Sequence, residues 1–184
     1  MQKFPLMTIA AAPEKTKQTL QMLEQKLGFL PNAIATMANS PVLLNAFVGT
    51  FGSFHGGSFN PIERQVLLLT NAVTIRCSWT VAAHSTFAIE EGLAESEVNA
   101  IRRGALPADP KYAALSALTR ALIEQRGHAG AAEIEHFTTA GYAQTLLLEV
   151  IAGIAVSTMA ATTTNLAGTP IDDHLKARIW AAAA

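Results

Sequence analysis

Cysteine is almost missing from this sequence: one residue, Cys77, is present among 184. A single cysteine cannot form a disulfide within the chain, and it cannot supply a cysteine-based metal cluster. Proteins without structural disulfides are typical of reducing compartments. We therefore expect a cytoplasmic protein.

Charge is also scarce, since charged residues make up 15% of the chain and the formal net charge is −1. No basic stripe is present, so we expect no nucleic-acid partner. The first residues, MQKFP, lack the apolar core and the cleavage site of a signal peptide. The longest apolar stretch, 146–161, is interrupted by polar residues and a glycine, so we expect no membrane association.

Apolar residues are abundant by contrast, at 50% of the chain. The length fits one domain spanning residues 1–184. Such a composition is high for the surface of a small soluble monomer. We therefore expect a homo-oligomer in which some helix faces are buried between subunits.

The residue pattern predicts an all-α fold, because helix formers dominate and strand-like alternation is absent. A serine–proline pair at 40–41 and an Asn-Pro-x-Glu sequence at 60–63 are strong helix-start signals. Gly28 should end the first helix. The predicted helices cover 13–27, 41–54, 60–76, 77–92, 95–103, 112–126, 131–139 and 143–166, with a short helix between the first two.

The candidate site is the segment 77–84, with the sequence CSWTVAAH. On a helix, Cys77 and His84 would lie on one face with Thr80 between them, forming a stripe of thiol, hydroxyl and imidazole. The helix N-terminus and the preceding Arg76 would favour the thiolate, and His84 could shuttle protons. The plainer alternative is that the cysteine and the histidine are packed core residues.

Other chemical motifs are missing from the sequence. The remaining histidines show no metal-ligand spacing except for Glu133, Glu135 and His136, which we interpret as a solvated helix face. Neither a phosphate-binding loop nor a Gly-x-Ser-x-Gly elbow occurs. We therefore expect no cofactor and no metal.

Two blocks, 60–69 (NPIERQVLLL) and 77–85 (CSWTVAAHS), resemble the carboxymuconolactone decarboxylase family in its alkylhydroperoxidase D-like branch. Segments 28–32 (GFLPN), 140–142 (AGY) and 166–172 (LAGTPID) resemble motifs of the peroxidase-related subgroup. The resemblance implies an all-α helical domain that is completed by oligomerisation. It favours a trimer or hexamer over a dimer.

The resemblance also implies roles for individual residues. Redox members of the family carry a glutamate, then Cys-x-x-Cys-x-x-x-His on the next helix. Cys77 matches the first cysteine and His84 the histidine, whereas Thr80 stands where the attacking cysteine would be and Gln65 where the proton-relay glutamate would be. A threonine cannot form a disulfide, and a glutamine cannot act as a base, so an intramolecular dithiol cycle is excluded.

Three functions stay open at this point. The first is a peroxidase-related protein with weak or altered peroxiredoxin-type activity on a small hydroperoxide, in which an external thiol reductant restores oxidised Cys77. The second is a decarboxylase-type lyase in which His84 acts as acid and base on a small organic acid. The third is a non-catalytic binding or scaffold protein.

A cavity would discriminate between these functions. Cys77 on its wall would favour redox chemistry, an arginine facing His84 would favour a carboxylate substrate, and the absence of a cavity would favour a scaffold. We expect Cys77 and His84 to line one cavity, with Gln65 facing them from the preceding helix.

Overall fold

The computed structural model describes residues 3–181. These residues form nine α-helices and one 3₁₀ helix and contain no β-strand, which confirms the all-α prediction. The helices are α1 Glu14–Leu27, α2 Asn32–Met37, α3 Pro41–His55, α4 Pro61–Thr74, α5 Ser78–Glu90, α6 Glu95–Arg102, α7 Pro110–Glu124, α8 Ala131–Thr139, α9 Leu146–Ala167 and the 3₁₀ helix Asp173–Arg178.

The start signals read from the sequence work as predicted. Ser40 Oγ accepts the backbone N–H of Leu43 at the start of α3, at 3.3 Å. At α4, Asn60 and Glu63 form a reciprocal capping box, with both hydrogen bonds at 2.9 Å. The second Glu63 oxygen binds Lys111 Nζ at 2.8 Å. Glu63 is thus a structural acid.

Some helix bounds differ from the prediction. α7 starts at Pro110 because Asp109 caps it, accepting the backbone N–H groups of Lys111 and Tyr112. The break between α4 and α5 is wider than predicted, since Arg76 adopts a left-handed backbone with φ of 60° and Cys77 is extended. This turn folds α5 back against α4.

α4 is the central helix of the domain. It packs against α5, α6, α7 and α9, and residues 65–72 of it are all buried. Any polar side chain on this stretch must therefore find its partner inside the protein. Gln65 is one of them.

α9 is the longest helix of the described residues and carries three exposed large apolar side chains, Leu148, Ile151 and Leu166. Its 22 residues have the length and composition of a bilayer-crossing helix, which many core helices of soluble proteins share. The expectation that its polar residues make this stretch unsuitable for crossing a bilayer was therefore too strict. Those residues have protein partners, since Ser157 Oγ donates to Leu68 O at 3.4 Å and Thr158 Oγ1 accepts from Asn71 Nδ2 at 3.2 Å.

Candidate functional site

Cys77 lies at the N-terminal end of α5 and is completely buried. Its sulfur is 3.1 Å from Oγ1 of Thr164 on α9. The Thr164 hydroxyl donates to Ala160 O at 2.9 Å, so the hydrogen between sulfur and oxygen comes from the thiol. The Cys77 side chain is thus part of the packing between α5 and α9.

Thr80, where the resemblance would place an attacking cysteine, is also completely buried. Its hydroxyl donates to the backbone carbonyl of Cys77 at 3.3 Å. The side chain therefore closes the first turn of α5. Such a contact is a common structural use of threonine near a helix N-terminus.

His84 and Gln65 meet across the packed faces of α5 and α4, as their spacing predicts. Nδ1 of His84 is 3.0 Å from Oε1 of Gln65. Because the amide oxygen can only accept, Nδ1 carries the hydrogen and Nε2 keeps a free lone pair. Gln65 thus sets the tautomer of His84.

Burial lowers the pKa of His84 to about 3, and repulsion from His55 contributes in the same direction. Burial also lowers the pKa of His55, whose ring stacks on Phe51 at a centroid distance of 3.8 Å. His84 is half-buried, but the space it faces is apolar, which explains the size of the effect. His84 is therefore neutral at physiological pH.

A cavity of about 380 Å³ adjoins His84. It lies between α1, α3, α5, α9 and the 3₁₀ helix, and most of its wall is aliphatic or aromatic. Its aromatic wall residues are Phe29, Phe47, Phe51, Trp79 and Phe87. Two further titratable residues on the wall, Glu90 and His174, are exposed at its outer part.

The wall includes His84 but not Cys77, Thr80 or Gln65. The expectation that Cys77 and His84 line one cavity was therefore wrong. Two residues seven apart share a helix face only when both are helical, and Cys77 has an extended backbone, with φ of −107° and ψ of 106°. Its thiol packs instead among alanines near α9.

One part of the wall could not be found from sequence spacing. Trp79 donates its indole N–H to Asp172 Oδ2 at 3.0 Å, and Asp172 Oδ1 accepts the backbone N–H of Asn32 at 2.9 Å. A single buried carboxylate thus joins the closing segment, the start of α2 and α5. The sequence offered only the three segments that contain these residues, and nothing in them indicated a contact.

Replacing Gln65 by glutamate should raise the pKa of His84 well above about 3. A carboxylate 3.0 Å from Nδ1 would stabilise the imidazolium, which the neutral amide cannot do. The pKa is measured by following the His84 ring signals by NMR against pH. Gln65→Met, which removes the partner without adding charge, should produce no rise. An unchanged pKa in Gln65→Glu would contradict the contact.

His84 should make the protein less stable as the pH falls below 6.5. Between pH 6.5 and about 3, the unfolded histidine binds a proton that the folded one does not. Each pH unit in this window therefore costs up to about 1.4 kcal/mol of unfolding free energy. Urea unfolding at about pH 6 and about pH 5 should show a shallower pH dependence for His84→Gln than for the native chain; identical slopes would refute the assignment.

Comparison with known proteins adds a sequence match and several structural ones. Residues 41–124 match the sequence profile of the carboxymuconolactone decarboxylase family. No curated protein sequence matches the chain significantly.

An uncharacterized peroxidase-related protein from Ralstonia eutropha JMP134, with an alkylhydroperoxidase AhpD core, superimposes with a TM-score of 0.82 at 19% identity, over 95% of this chain and 94% of that chain. A second peroxidase-related protein, from Silicibacter sp. TM1040, gives 0.77 at 15% identity, over 94% and 92%. The debrominase Bmp8 in complex with 2,3,4-tribromopyrrole gives 0.75 at 18% identity, over 97% of both chains.

At these identities the structural matches establish the shared fold and nothing finer. The sequence match adds a similarity to one family for the segment that holds α3, α4, α5 and the His84–Gln65 pair. Residues 41–124 of this chain match the carboxymuconolactone decarboxylase family, and the chain shares the fold of the alkylhydroperoxidase AhpD core.

Proposed function

We propose that this chain binds a small, uncharged, largely apolar molecule in the cavity beside His84 and does not reduce hydroperoxides through Cys77. The observation that carries the proposal is the cavity itself. Its volume of about 380 Å³ falls in the range of ligand sites, and its wall is mostly hydrophobic and aromatic. A much smaller apolar cavity, of about 150 Å³, is enough to hold benzene.

Redox chemistry at Cys77 has little support in this arrangement. Even a one-cysteine cycle needs the peroxide to reach the sulfur. The sulfur of Cys77 is buried, is hydrogen-bonded to Thr164 and does not line the cavity. Buried cysteines of this kind are inert. The chain thus shares the fold of peroxidase-related proteins without an accessible thiol.

The lyase alternative is favoured by one observation, namely that His84 lies on the cavity wall. Two others weigh against it. Among the described residues, neither arginine nor lysine lines the cavity, so a carboxylate substrate would find no counter-charge. A histidine whose pKa is about 3 is also a weak base at neutral pH. Binding therefore agrees better with the site than acid–base turnover does.

One structural relative gives the proposal a chemical precedent. The debrominase Bmp8, similar in fold, is seen in complex with 2,3,4-tribromopyrrole, a small substituted ring. A ligand of that size and apolar character fits the class we propose here.

Calorimetric titration with naphthalene tests the proposal. We expect binding to the native protein and none to Ala160→Phe, because Ala160 lies on the cavity wall and a phenyl ring there would fill the space. Hydroperoxide consumption is measured in parallel and should be equal for the native chain and Cys77→Ser. Failure of naphthalene to bind, or faster consumption by the native chain, would overturn the proposal.

We also propose that the chain is a homo-oligomer. α9 carries an exposed, mostly apolar stripe at helical spacing, which a monomer would leave in water. The exposed residues of α9 are Leu148, Ile151, Ala155, Thr162, Asn165 and Leu166, of which only the threonine and the asparagine are polar. We favour a trimer or hexamer by resemblance to the family.

Placing charges on this stripe should dissociate the oligomer. Leu148 is 71% exposed and Ile151 is 54% exposed in the single chain, so Leu148→Glu with Ile151→Glu should leave the fold intact and abolish assembly. Light scattering at micromolar concentration measures the mass. Ala131→Glu with Ala132→Glu, at exposed positions of α8, is the matched control and should leave the mass unchanged. A monomeric native chain would refute the argument.

A further inference from the structure

The buried part of the cavity presents hydrogen-bond acceptors to a ligand and withholds its donors. Nε2 of His84 has a free lone pair, because Nδ1 carries the hydrogen and is bound to Gln65. Ser157 already donates its hydroxyl hydrogen to Leu68 O, which leaves only its oxygen lone pairs. The indole N–H of Trp79 is held by Asp172.

The charge of the wall restricts the ligand further. Glu90 is on the outer part of the wall and disfavours carboxylates and phosphates, while no arginine or lysine among the described residues lines the cavity to offset it. Cations would have to leave water for an apolar space whose buried acceptors are neutral, which is costly. An uncharged ligand avoids both penalties.

We propose that the ligand of this cavity is an uncharged aromatic ring molecule with one N–H or O–H group, which donates its hydrogen to Nε2 of His84. This inference rests on the proposed function, because it specifies the ligand of the same cavity. The five aromatic residues of the wall offer edge-to-face and stacked contacts to a ring. The acceptor at His84 then fixes the orientation of that ring.

An isosteric series separates this recognition from simple apolar binding. Indole, indene and benzofuran share one bicyclic shape, but only indole has a hydrogen-bond donor, and benzofuran has an acceptor oxygen in its place. A net hydrogen bond of about 0.5–1.5 kcal/mol corresponds to an affinity ratio of about 2–12. Calorimetry should therefore find indole tighter than indene by about this factor, and benzofuran no tighter than indene.

The His84→Leu variant, titrated with the same three compounds, should show no preference for indole. Leucine fills the position with an apolar side chain and removes the hydrogen-bond acceptor. Should that variant fail to fold, ¹⁵N NMR of the native chain gives the answer: the Nε2 signal of His84 should move upfield with indole and stay in place with indene.

The outcomes separate the two proposals. Equal binding of indole and indene, with no change at Nε2, would overturn the donor inference and leave the apolar binding site standing. No binding of any of the three compounds would overturn both.

Discussion

Cys77 in the native protein should react with a thiol reagent at least about 1,000 times more slowly than in the unfolded chain. The side chain has 0% exposure, and its hydrogen is engaged by Thr164 Oγ1 at 3.1 Å. The reagent must therefore wait for an opening that separates α5 from α9, and openings of core elements cost several kcal/mol. The rate is measured with a chromogenic disulfide at neutral pH, with and without urea.

The matched control is Ser96→Cys in a Cys77→Ala background. Ser96 is exposed on α6, so its cysteine should react at a similar rate in native and unfolded protein. Rapid modification of native Cys77 would contradict the buried thiol and would return redox chemistry to consideration. Addition of hydroperoxide before the reagent should leave the titratable thiol unchanged.

Gly153→Val should be among the most damaging single substitutions in this chain. A Cβ at position 153 would lie 2.6 Å from Leu67 Cδ2 and 2.8 Å from Phe54 Cε2, and both of these side chains are buried. Neither can move into solvent, so α9 must separate from α3 and α4. We expect a loss of about 3 kcal/mol or more in unfolding free energy, measured by urea denaturation.

Gly49→Ala is the control for this substitution. Gly49 lies inside α3, and a Cβ there would meet nothing within 4 Å. Alanine should therefore stabilise the chain by about 0.5–1 kcal/mol through helix propensity. If Gly153→Val were as stable as the native chain, the close approach of α9 to α4 would be wrong.

Local features of the sequence determined the helices of this protein. The Asn60–Glu63 capping box, the Ser40 cap and the Gly28 terminator act through atoms a few residues apart, so the sequence contains all the information they need. The family resemblance extended this to the fold. It also brought Gln65 and His84 together, because α4 and α5 are consecutive helices joined by a tight turn.

Tertiary structure alone decided the chemistry of the site. The direction of the Cys77 thiol depends on an extended backbone and on Thr164, which is 87 residues away in the chain. The neutrality of His84 depends on how much water the surrounding helices exclude, and helix periodicity cannot supply that quantity. Sequence patterns determine which residues share a helix face, whereas packing between distant helices determines which of them reach a cavity.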